Sequence, residues 1–173
     1  NKILLIGCGH MGSALLNAWI KKTSSAFIVI DPFQHKKINK IFKKRVRAYD
    51  AIKKIKNLKS IDIVVFAIKP QMAKSVLEDF ISLTFGKRTV FVSIVAGKKI
   101  NFFSKFLLNS VQFIRVMPNM PAIVNEGMTC LVANKNVSIK NKNLINKLFL
   151  NIGKNLWLKN ESEINKVTAI SGS

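Results

Sequence analysis

The chain has 173 residues, of which 49% are hydrophobic, and carries a formal net charge of +21 at pH 7. This length predicts one domain with a sizeable buried core. The two cysteines, Cys8 and Cys130, are too few for a disulfide framework, and no Cys/His cluster has the spacing of a zinc site, so we expect no bound metal. No apolar run is long enough to span a bilayer and nothing resembles a signal peptide, which predicts a cytoplasmic protein without a membrane partner.

The basic residues are spread along the whole chain and are mostly lysines. One interpretation is nucleic-acid binding through neutralised phosphates. The other is a set of solvated helix faces with a general attraction for anionic ligands. Because no nucleic-acid reader motif and no row of interleaved aromatic residues accompanies the charge, we favour the second interpretation and expect no specific nucleic-acid partner.

The first twelve residues contain the strongest functional signal. Residues 2–6 are a short apolar run that predicts a buried strand, and a G-x-G-x-x-G turn and a helical pattern follow directly. Gly7 permits the turn, Gly9 lets the backbone approach a ligand, and Gly12 lets the helix pack closely on the strand. The unpaired N–H groups of the first helical turn then face the ligand, which predicts a pyrophosphate site. We interpret Cys8 as a small spacer in this turn rather than a nucleophile.

A second apolar run, residues 27–30, ends in Asp31. Asp31 lies about twenty residues after the last glycine of the turn, which is the distance at which a carboxylate can accept hydrogen bonds from the adenosine ribose. The alternative is an ordinary βαβ unit with an accidental glycine turn, in which Asp31 caps the next helix.

Short apolar strands alternate with helical segments along the rest of the chain. We predict strands at 2–6, 27–31, 46–49, 62–68, 89–95, 111–117, 128–133 and 155–159, helices at about 11–22, 34–44, 70–82, 98–108, 138–150 and 161–170, and a helical turn at 51–57. This alternation predicts an α/β fold with a doubly wound, Rossmann-type, mostly parallel sheet and antiparallel strands at its C-terminal edge. Pro118 and Pro121 exclude helix from the segment between them. In such sheets the ligand lies beyond the carboxyl ends of the strands.

Several motifs in order resemble the N-terminal half of Δ1-pyrroline-5-carboxylate reductases. They are GCGHMG at 7–12 with Ala14, FAIKPQ at 66–71, SIVAG at 93–97, RVMPNMPA at 115–122, EGMT at 126–129 and VTAISGS at 167–173. Met120 replaces a Thr of the family pattern and Ala169 replaces a Gly. The family's helical second domain, which forms the dimer and supplies much of the substrate pocket, would begin where this chain stops. The resemblance therefore implies a dinucleotide-binding domain at 1–160 and the truncated start of the helical dimerisation domain at 161–173.

The resemblance implies hydride transfer from NADH or NADPH to the C=N carbon of 1-pyrroline-5-carboxylate, giving L-proline in the last step of proline biosynthesis. It implies a homo-oligomer formed through the helical domain, and no catalytic residue within this chain, so that the chain alone could be inactive. Lys69 would contact the cofactor ribose or the substrate carboxylate, or would simply be a surface lysine. The implied substrate residues are Ser171 and Ser173. The implied cofactor-binding residues are Ile6, Gly7, Cys8, Gly9, His10, Met11, Gly12, Asp31, Pro32, Ala67, Lys69, Pro70, Ala96, Gly97 and Asn119.

The choice between the two nicotinamide cofactors depends on the charge near the adenosine ribose. Asp31 would repel a 2′-phosphate and therefore favours NADH, although His35, Lys36 and Lys37 follow closely and could attract that phosphate. Two alternatives stay open for the function. One is a related dehydrogenase, such as an F420-dependent NADP reductase, and the other is a dinucleotide-binding chain without catalysis.

Overall fold

The computed structural model describes residues 1–42, 44–118 and 127–164, and within them eight strands form a single sheet. The strands are β1 (Lys2–Ile6), β2 (Ala26–Ile30), β3 (Val46–Tyr49), β4 (Ile63–Phe66), β5 (Val90–Ser93), β6 (Gln112–Pro118), β7 (Gly127–Ala133) and β8 (Gly153–Trp157). Their order is β3-β2-β1-β4-β5-β6-β7-β8. The first six are parallel, β7 is antiparallel to β6, and β8 runs parallel to β7. The predicted doubly wound α/β fold with antiparallel strands at the C-terminal edge is confirmed.

The two central strands are buried on both faces. Leu4 and Leu5 of β1 and Val64 and Val65 of β4 are all 0% exposed. Continuous apolar runs are typical of strands covered by helices on both sides, which is why these segments showed no alternating pattern. The order of the sheet reverses between β1 and β4, and this is the position where doubly wound sheets open a crevice for a ligand.

Five α-helices connect the strands of the described part of the chain. They are α1 (His10–Lys22), α2 (His35–Ile41), α3 (Ala73–Glu78), α4 (Ile100–Phe103) and α5 (Ile139–Leu150). α1 and α5 pack together on one face, where the Trp19 ring meets the Phe149 ring edge-on at 5.6 Å. The Trp19 indole N–H donates to the Leu148 carbonyl at 3.1 Å, so the polar atom of this buried ring is paired.

Two predicted helices are much shorter than their sequence patterns indicated. The helix predicted at 70–82 is a 3-10 turn (Pro70–Met72) followed by α3, which ends at Glu78. Beyond it Phe85 stacks on Phe80 at 5.8 Å, and residues five apart cannot face each other on one helix. The helix predicted at 98–108 is reduced to α4, because the chain turns at Phe103, whose ring packs on Phe113 at 4.9 Å. Ring packing, within the loop after α3 in one case and between α4 and β6 in the other, therefore overrides both helical patterns.

Other boundaries differ by a few residues. α2 ends at Ile41 instead of continuing to 44. The predicted helical turn at 51–57 is reduced to a 3-10 turn at Ile52–Lys54, and a second 3-10 turn at Leu58–Ser60 follows it. The strands predicted at 27–31, 62–68 and 89–95 end at Ile30, Phe66 and Ser93. β8 lies two residues earlier than predicted because it begins at Gly153, which pairs with Gly127 so closely that an added Cβ would clash with the Gly127 backbone.

The remaining predictions fall partly outside the described residues. Residues 161–164 are helical, as predicted for the start of the last helix, whereas its continuation to 170 lies outside the described residues. The predicted non-helical stretch from 119 to Pro121 also lies outside the described residues. Among the helices of the described part, none is both long and apolar enough to cross a membrane.

Candidate dinucleotide-binding site

The glycine turn connects β1 to α1, and its three glycines have different physical roles. Gly7 has a φ of +90°, and a Cβ added there would lie 2.6 Å from the Ala67 carbonyl oxygen. A Cβ on Gly12 would clash with the Gly7 carbonyl, so both residues are required by packing. At Gly9, by contrast, no heavy atom of the described residues lies within 4 Å of an added Cβ. The backbone at Gly9 therefore has free space beside it, and the predicted approach of a ligand there stays a prediction.

α1 begins directly at this open backbone. Gly9 is its N-cap, and within the described chain no side chain forms a capping hydrogen bond there and no acidic residue occupies the first turn. The last turn carries Lys21 and Lys22, which complement the helix dipole at the other end. A 13-residue helix with an uncapped N-terminus presents N–H groups and a partial positive charge to an anion.

Asp31 is only 8% exposed and both of its carboxylate oxygens accept hydrogen bonds from the main chain. Oδ2 accepts the Cys8 N–H at 2.8 Å, and Oδ1 accepts the N–H groups of Phe33 and Gln34, each at 2.9 Å. Asp31 therefore joins the glycine turn to the turn that follows β2. Because a carboxylate offers about four acceptor positions, Oδ2 keeps one position for a ligand hydroxyl. The capping role and the ligand role, considered as alternatives from the sequence, are compatible in this geometry.

A cavity of about 370 Å³ lies beyond the carboxyl ends of β1, β2 and β4. Its volume falls within the range of small-molecule sites. It brings together six of the residues that the sequence assigned to the cofactor: Ile6, Gly7, Gly9, Asp31, Pro32 and Lys69. Lys69 is exposed and precedes the 3-10 turn at Pro70–Met72, which places its cation at the rim. The structure therefore assembles six of the fifteen predicted cofactor-binding residues in a single concave surface.

The remaining predicted residues lie around this cavity or outside the described chain. His10 and Met11 begin α1 beside the turn, Ala67 contacts it, and Pro70 starts the 3-10 turn. Ala96 and Gly97 are exposed in the loop after β5, where Gly97 has a φ of +69°. Asn119, Ser171 and Ser173 lie outside the described residues, so their predicted roles stay predictions.

Cys8 is part of the glycine turn but is not a reactive thiol. Burial, with a smaller contribution from the negative charge of Asp31, raises the pKa of Cys8 to about 11. A thiol with that pKa is protonated at neutral pH, whereas the thiolate is the nucleophilic form. This agrees with the interpretation of Cys8 as a spacer. Within residues 1–42, 44–118 and 127–164, no group of three or more His, Cys, Asp or Glu side chains could hold a metal ion.

One wall of the cavity is formed by residues that the sequence did not predict to belong to the site. The loop after β3 contributes Asp50 and Ile52, and α3 with its flanking turns contributes Met72, Val76 and Phe80. Met72, Val76 and Phe80 are four residues apart, which is the spacing of side chains that lie on one face of a helix. That signal could identify the face, but only the strand order shows that it meets the loops after β1, β2 and β3.

A buried ion pair connects β6 to the helical residues that begin at 161. Arg115 Nη1 lies 3.2 Å from Glu161 Oε1, and the same oxygen accepts the Ile100 N–H of α4 at 3.0 Å. The Arg115 side chain is 3% exposed. This contact fixes the start of the last described helix against α4, close to the loop that contains Ala96 and Gly97. The sequence contained Arg115 in a family motif but gave no indication of its partner.

The strand order, the open glycine turn and the adjoining cavity define a Rossmann-type domain with a dinucleotide-binding turn. A family model described as "NADP oxidoreductase coenzyme F420-dependent" matches residues 2–97. The chain belongs to this oxidoreductase family.

Known proteins with similar sequences and structures are pyrroline-5-carboxylate reductases. The enzyme of Pasteurella multocida is 29% identical over 180 residues, which cover 99% of this chain and 63% of that protein. The reductase structure from Coxiella burnetii superposes with a TM-score of 0.83 at 28% identity, covering 98% of this chain and 63% of that one. The Plasmodium falciparum reductase with NADP bound gives a TM-score of 0.81 at 26% identity over 99% of this chain and 62% of that one. The resemblance found in the sequence is confirmed, and the chain spans less than two thirds of the length of these relatives.

Proposed function

We propose that this chain binds NADH or NADPH and belongs to an enzyme that reduces 1-pyrroline-5-carboxylate to L-proline. The observation that carries the proposal is the open backbone at Gly9, at the uncapped start of α1 and beside a cavity of about 370 Å³. A pyrophosphate fits there because the helix N-terminus supplies donors and positive potential without any side chain in the way. The pyrroline-5-carboxylate reductases that align with 99% of the chain support the choice of substrate.

We assign each part of the cofactor to a part of this surface. The pyrophosphate takes the turn from Ile6 to Met11, and the adenosine ribose takes Asp31 and Pro32 in the adjoining cavity. The nicotinamide side takes the exposed loops that follow β4 and β5, with Lys69, Ala96 and Gly97. The assigned parts of the cofactor therefore lie in sequence along the carboxyl ends of β2, β1, β4 and β5, on both sides of the point where the sheet order reverses.

The reduced nicotinamide supplies the hydride, which goes to the C=N carbon of the substrate, while the nitrogen takes a proton. The protein's contribution is binding and orientation. Lys69 offers a cation at the rim for a ribose hydroxyl or the substrate carboxylate. The Arg115–Glu161 pair holds the start of the helix at 161 against α4, next to the nicotinamide loop.

We further propose a preference for NADH. Three carboxylates line the cavity, those of Asp31, Asp50 and Asp79, and Lys69 is the one basic side chain among the described lining residues. A 2′-phosphate placed there would meet more negative than positive charge. Lys36 and Lys37, which could have attracted this phosphate, are exposed and do not line the cavity.

The larger assembly is also part of the proposal. We propose that residues 1–160 form the dinucleotide-binding unit, that 161–173 begin a helical unit, and that the enzyme is a cytoplasmic homo-oligomer assembled through that helical unit. The support is that the helix starting at 161 is anchored by Glu161 to Arg115. The free, buried thiols of Cys8 and Cys130 are compatible with a reducing compartment.

An F420-dependent NADP reductase is the second candidate, because the matched family model carries that description. The match covers residues 2–97, which is the part shared by many dehydrogenases with this fold, whereas the reductase relatives align with the segment beyond it as well. Oxidation of reduced coenzyme F420 with NADP, without turnover of pyrroline-5-carboxylate, would favour this candidate.

The Gly9→Val variant tests the proposal. Gly9 has a φ of −69° and an extended ψ, so a valine there strains neither the backbone nor a described neighbour. The valine side chain would occupy the space that we assign to the pyrophosphate. We expect normal circular dichroism and a loss of NADH and NADPH binding of about a hundredfold or more, as a steric block of a pyrophosphate contact implies. Ser24→Val, in an exposed loop at the other end of the sheet, is the matched control.

Activity is then measured as loss of absorbance of the reduced cofactor in the presence of 1-pyrroline-5-carboxylate, with proline identified as the product. Cofactor binding without turnover would support the binding site and would show that this chain alone binds the dinucleotide without catalysing a reaction. Unchanged cofactor affinity in Gly9→Val would refute the placement of the pyrophosphate.

A further inference from the structure

A second cavity lies at the end of the sheet opposite to the glycine turn. Its volume is about 540 Å³, and it is enclosed by the loop between α3 and β5 and the loop between α4 and β6. Thr89 and Val111, which immediately precede β5 and β6, mark this amino end of the strands. The cavity therefore shares neither its loops nor its end of the sheet with the dinucleotide turn.

The cavity exists because α3 and α4 end early. The loops that follow these helices place the half-buried side chains of Phe85 and Phe106 in the lining of a common space. Phe85 stacks on Phe80 at 5.8 Å and meets Phe91 edge-on at 5.2 Å, which forms one wall. Phe106, half-buried in the loop after α4, contributes the facing side. The result is a predominantly apolar, aromatic surface that is open to solvent.

The rim combines apolar and positively charged side chains. Ile81 is 64% exposed and Leu108 is 77% exposed, and both line the cavity. Lys87 and Lys105 are exposed lining residues from the two opposing loops, and none of the described residues that line the cavity is acidic. Large exposed aliphatic side chains beside an open aromatic cavity are typical of a binding surface.

We propose that this cavity binds a small amphipathic anion, such as a carboxylate with a medium-length aliphatic chain. The aliphatic part lies against the rings of Phe85 and Phe106, and the carboxylate lies between Lys87 and Lys105. The volume is in the range of small-molecule sites, and such sites combine apolar walls with a few polar groups that fix orientation. The described lining residues include two lysines and no carboxylate, so this surface favours a negatively charged ligand.

The first test is a chain-length series of hexanoate, octanoate and decanoate measured by isothermal titration calorimetry. Each added methylene should tighten binding by about fourfold, as burial of a methylene implies. Decanol, which has the same chain as decanoate without the charge, should bind more weakly. Affinity that does not depend on chain length, or decanol binding as tightly as decanoate, would overturn the proposal.

The second test locates the ligand by NMR of methyl-labelled protein. Decanoate should shift methyl signals of the aliphatic residues that line this cavity and not the other, which are Ile81, Leu83, Leu107, Leu108 and Val111. Shifts confined to the dinucleotide cavity would place the ligand there and refute the proposal; its methyl reporters are Ile52, Ile68 and Val76. Phe80 lines both cavities and therefore cannot distinguish them.

The third test reverses the charge of the rim. The double variant Lys87→Glu/Lys105→Glu should bind decanoate about tenfold more weakly, because two exposed ion pairs are lost. The control Lys40→Glu/Lys147→Glu changes the net charge equally at exposed positions of α2 and α5, and its affinity should stay within about twofold because distant charges are screened by salt. Equal losses in both variants would overturn the assignment of the carboxylate to Lys87 and Lys105.

Two other occupants of this surface are distinguished by the same samples. Flotation with phosphatidylglycerol vesicles, in the absence of binding to monomeric decanoate, would show a lipid surface instead of a single anion. Sedimentation that shows a dimer abolished by Leu108→Ser would show a second copy of the chain instead. Either result would refute the proposal.

Discussion

The substitution Asp31→Asn separates the structural role of this carboxylate, which accepts main-chain hydrogen bonds, from its proposed role in cofactor choice. Asn keeps one carbonyl oxygen, which can still accept the N–H groups of Phe33 and Gln34, but places an NH₂ group opposite the Cys8 N–H. Two donors then face each other where a charge-assisted hydrogen bond of 2.8 Å existed. We expect the free energy of unfolding to fall by about 2 kcal/mol, the typical value for a hydrogen bond to a charged group.

The same substitution removes one negative charge from the adenosine side of the cavity. A unit charge about 6 Å from a 2′-phosphate interacts with it by about 1–3 kcal/mol at effective dielectric constants between those of water and a protein surface. The ratio of the NADPH to the NADH dissociation constant should therefore fall by about tenfold or more in Asp31→Asn. Asp50→Asn is the matched control, because Asp50 lines the same cavity and pairs with Lys54 instead of a main-chain turn.

Urea denaturation and fluorescence titrations with both cofactors measure the two effects on one preparation. Asp50→Asn should change the cofactor ratio with little loss of stability, whereas Asp31→Asn should change both quantities. If Asp31→Asn leaves the NADPH to NADH ratio unchanged, the electrostatic argument for NADH preference is wrong. If it leaves stability unchanged, the Cys8 contact is not the bond that joins the glycine turn to β2.

Three further predictions concern stability. Because the pKa of Cys8 is raised in the folded state, between pH 9 and about 11 this thiol ionises mainly in the unfolded state. The free energy of unfolding should therefore fall by about 2 kcal/mol over that pH range, and Cys8→Ala should lack this part of the loss. Trp19→Phe removes the indole donor to the Leu148 carbonyl and should lower the free energy of unfolding in urea by about 1–3 kcal/mol; an unchanged value would show that water replaces this contact. Glu161→Gln leaves the buried Arg115 without its countercharge, while its amide oxygen can still accept the Ile100 N–H, and should lower the free energy of unfolding by about 3 kcal/mol. In thermal denaturation, Arg115→Met combined with Glu161→Gln should recover part of this loss; no recovery would mean that the unpaired charge of Arg115 is not its cause.

Local signals explain why the opening of the chain was predictable. The strand, the glycine turn and the helix up to Lys22 are contiguous, and each residue's conformation is determined mainly by its immediate neighbours. Gly7 needs a positive φ and Gly12 needs close packing, and both requirements appear directly as glycine in the sequence. The confirmed doubly wound α/β fold follows from the same alternation of short apolar runs and helices.

Non-local packing explains what the sequence could not show. The lengths of α3 and α4 depend on which rings Phe80 and Phe103 meet, and those partners lie on other segments. The contribution of Asp50 to the cavity depends on β3 lying at one edge of the sheet, two strands from β1. A helical pattern can predict which face of a segment is apolar, but the end of the helix is determined by contacts that have no local signature.

Asp31 shows how fold and proposed cofactor choice are coupled in one side chain. Its two oxygens hold the glycine turn and the turn after β2 in register, so the proposed pyrophosphate site and the proposed adenosine site cannot shift independently. A neutral residue at this position would have to replace three main-chain hydrogen bonds with at most one or two acceptor atoms. A change towards NADPH at this site therefore requires a compensating contact for the Cys8 N–H, and a serine or threonine hydroxyl at position 31 would supply only one acceptor atom for both turns.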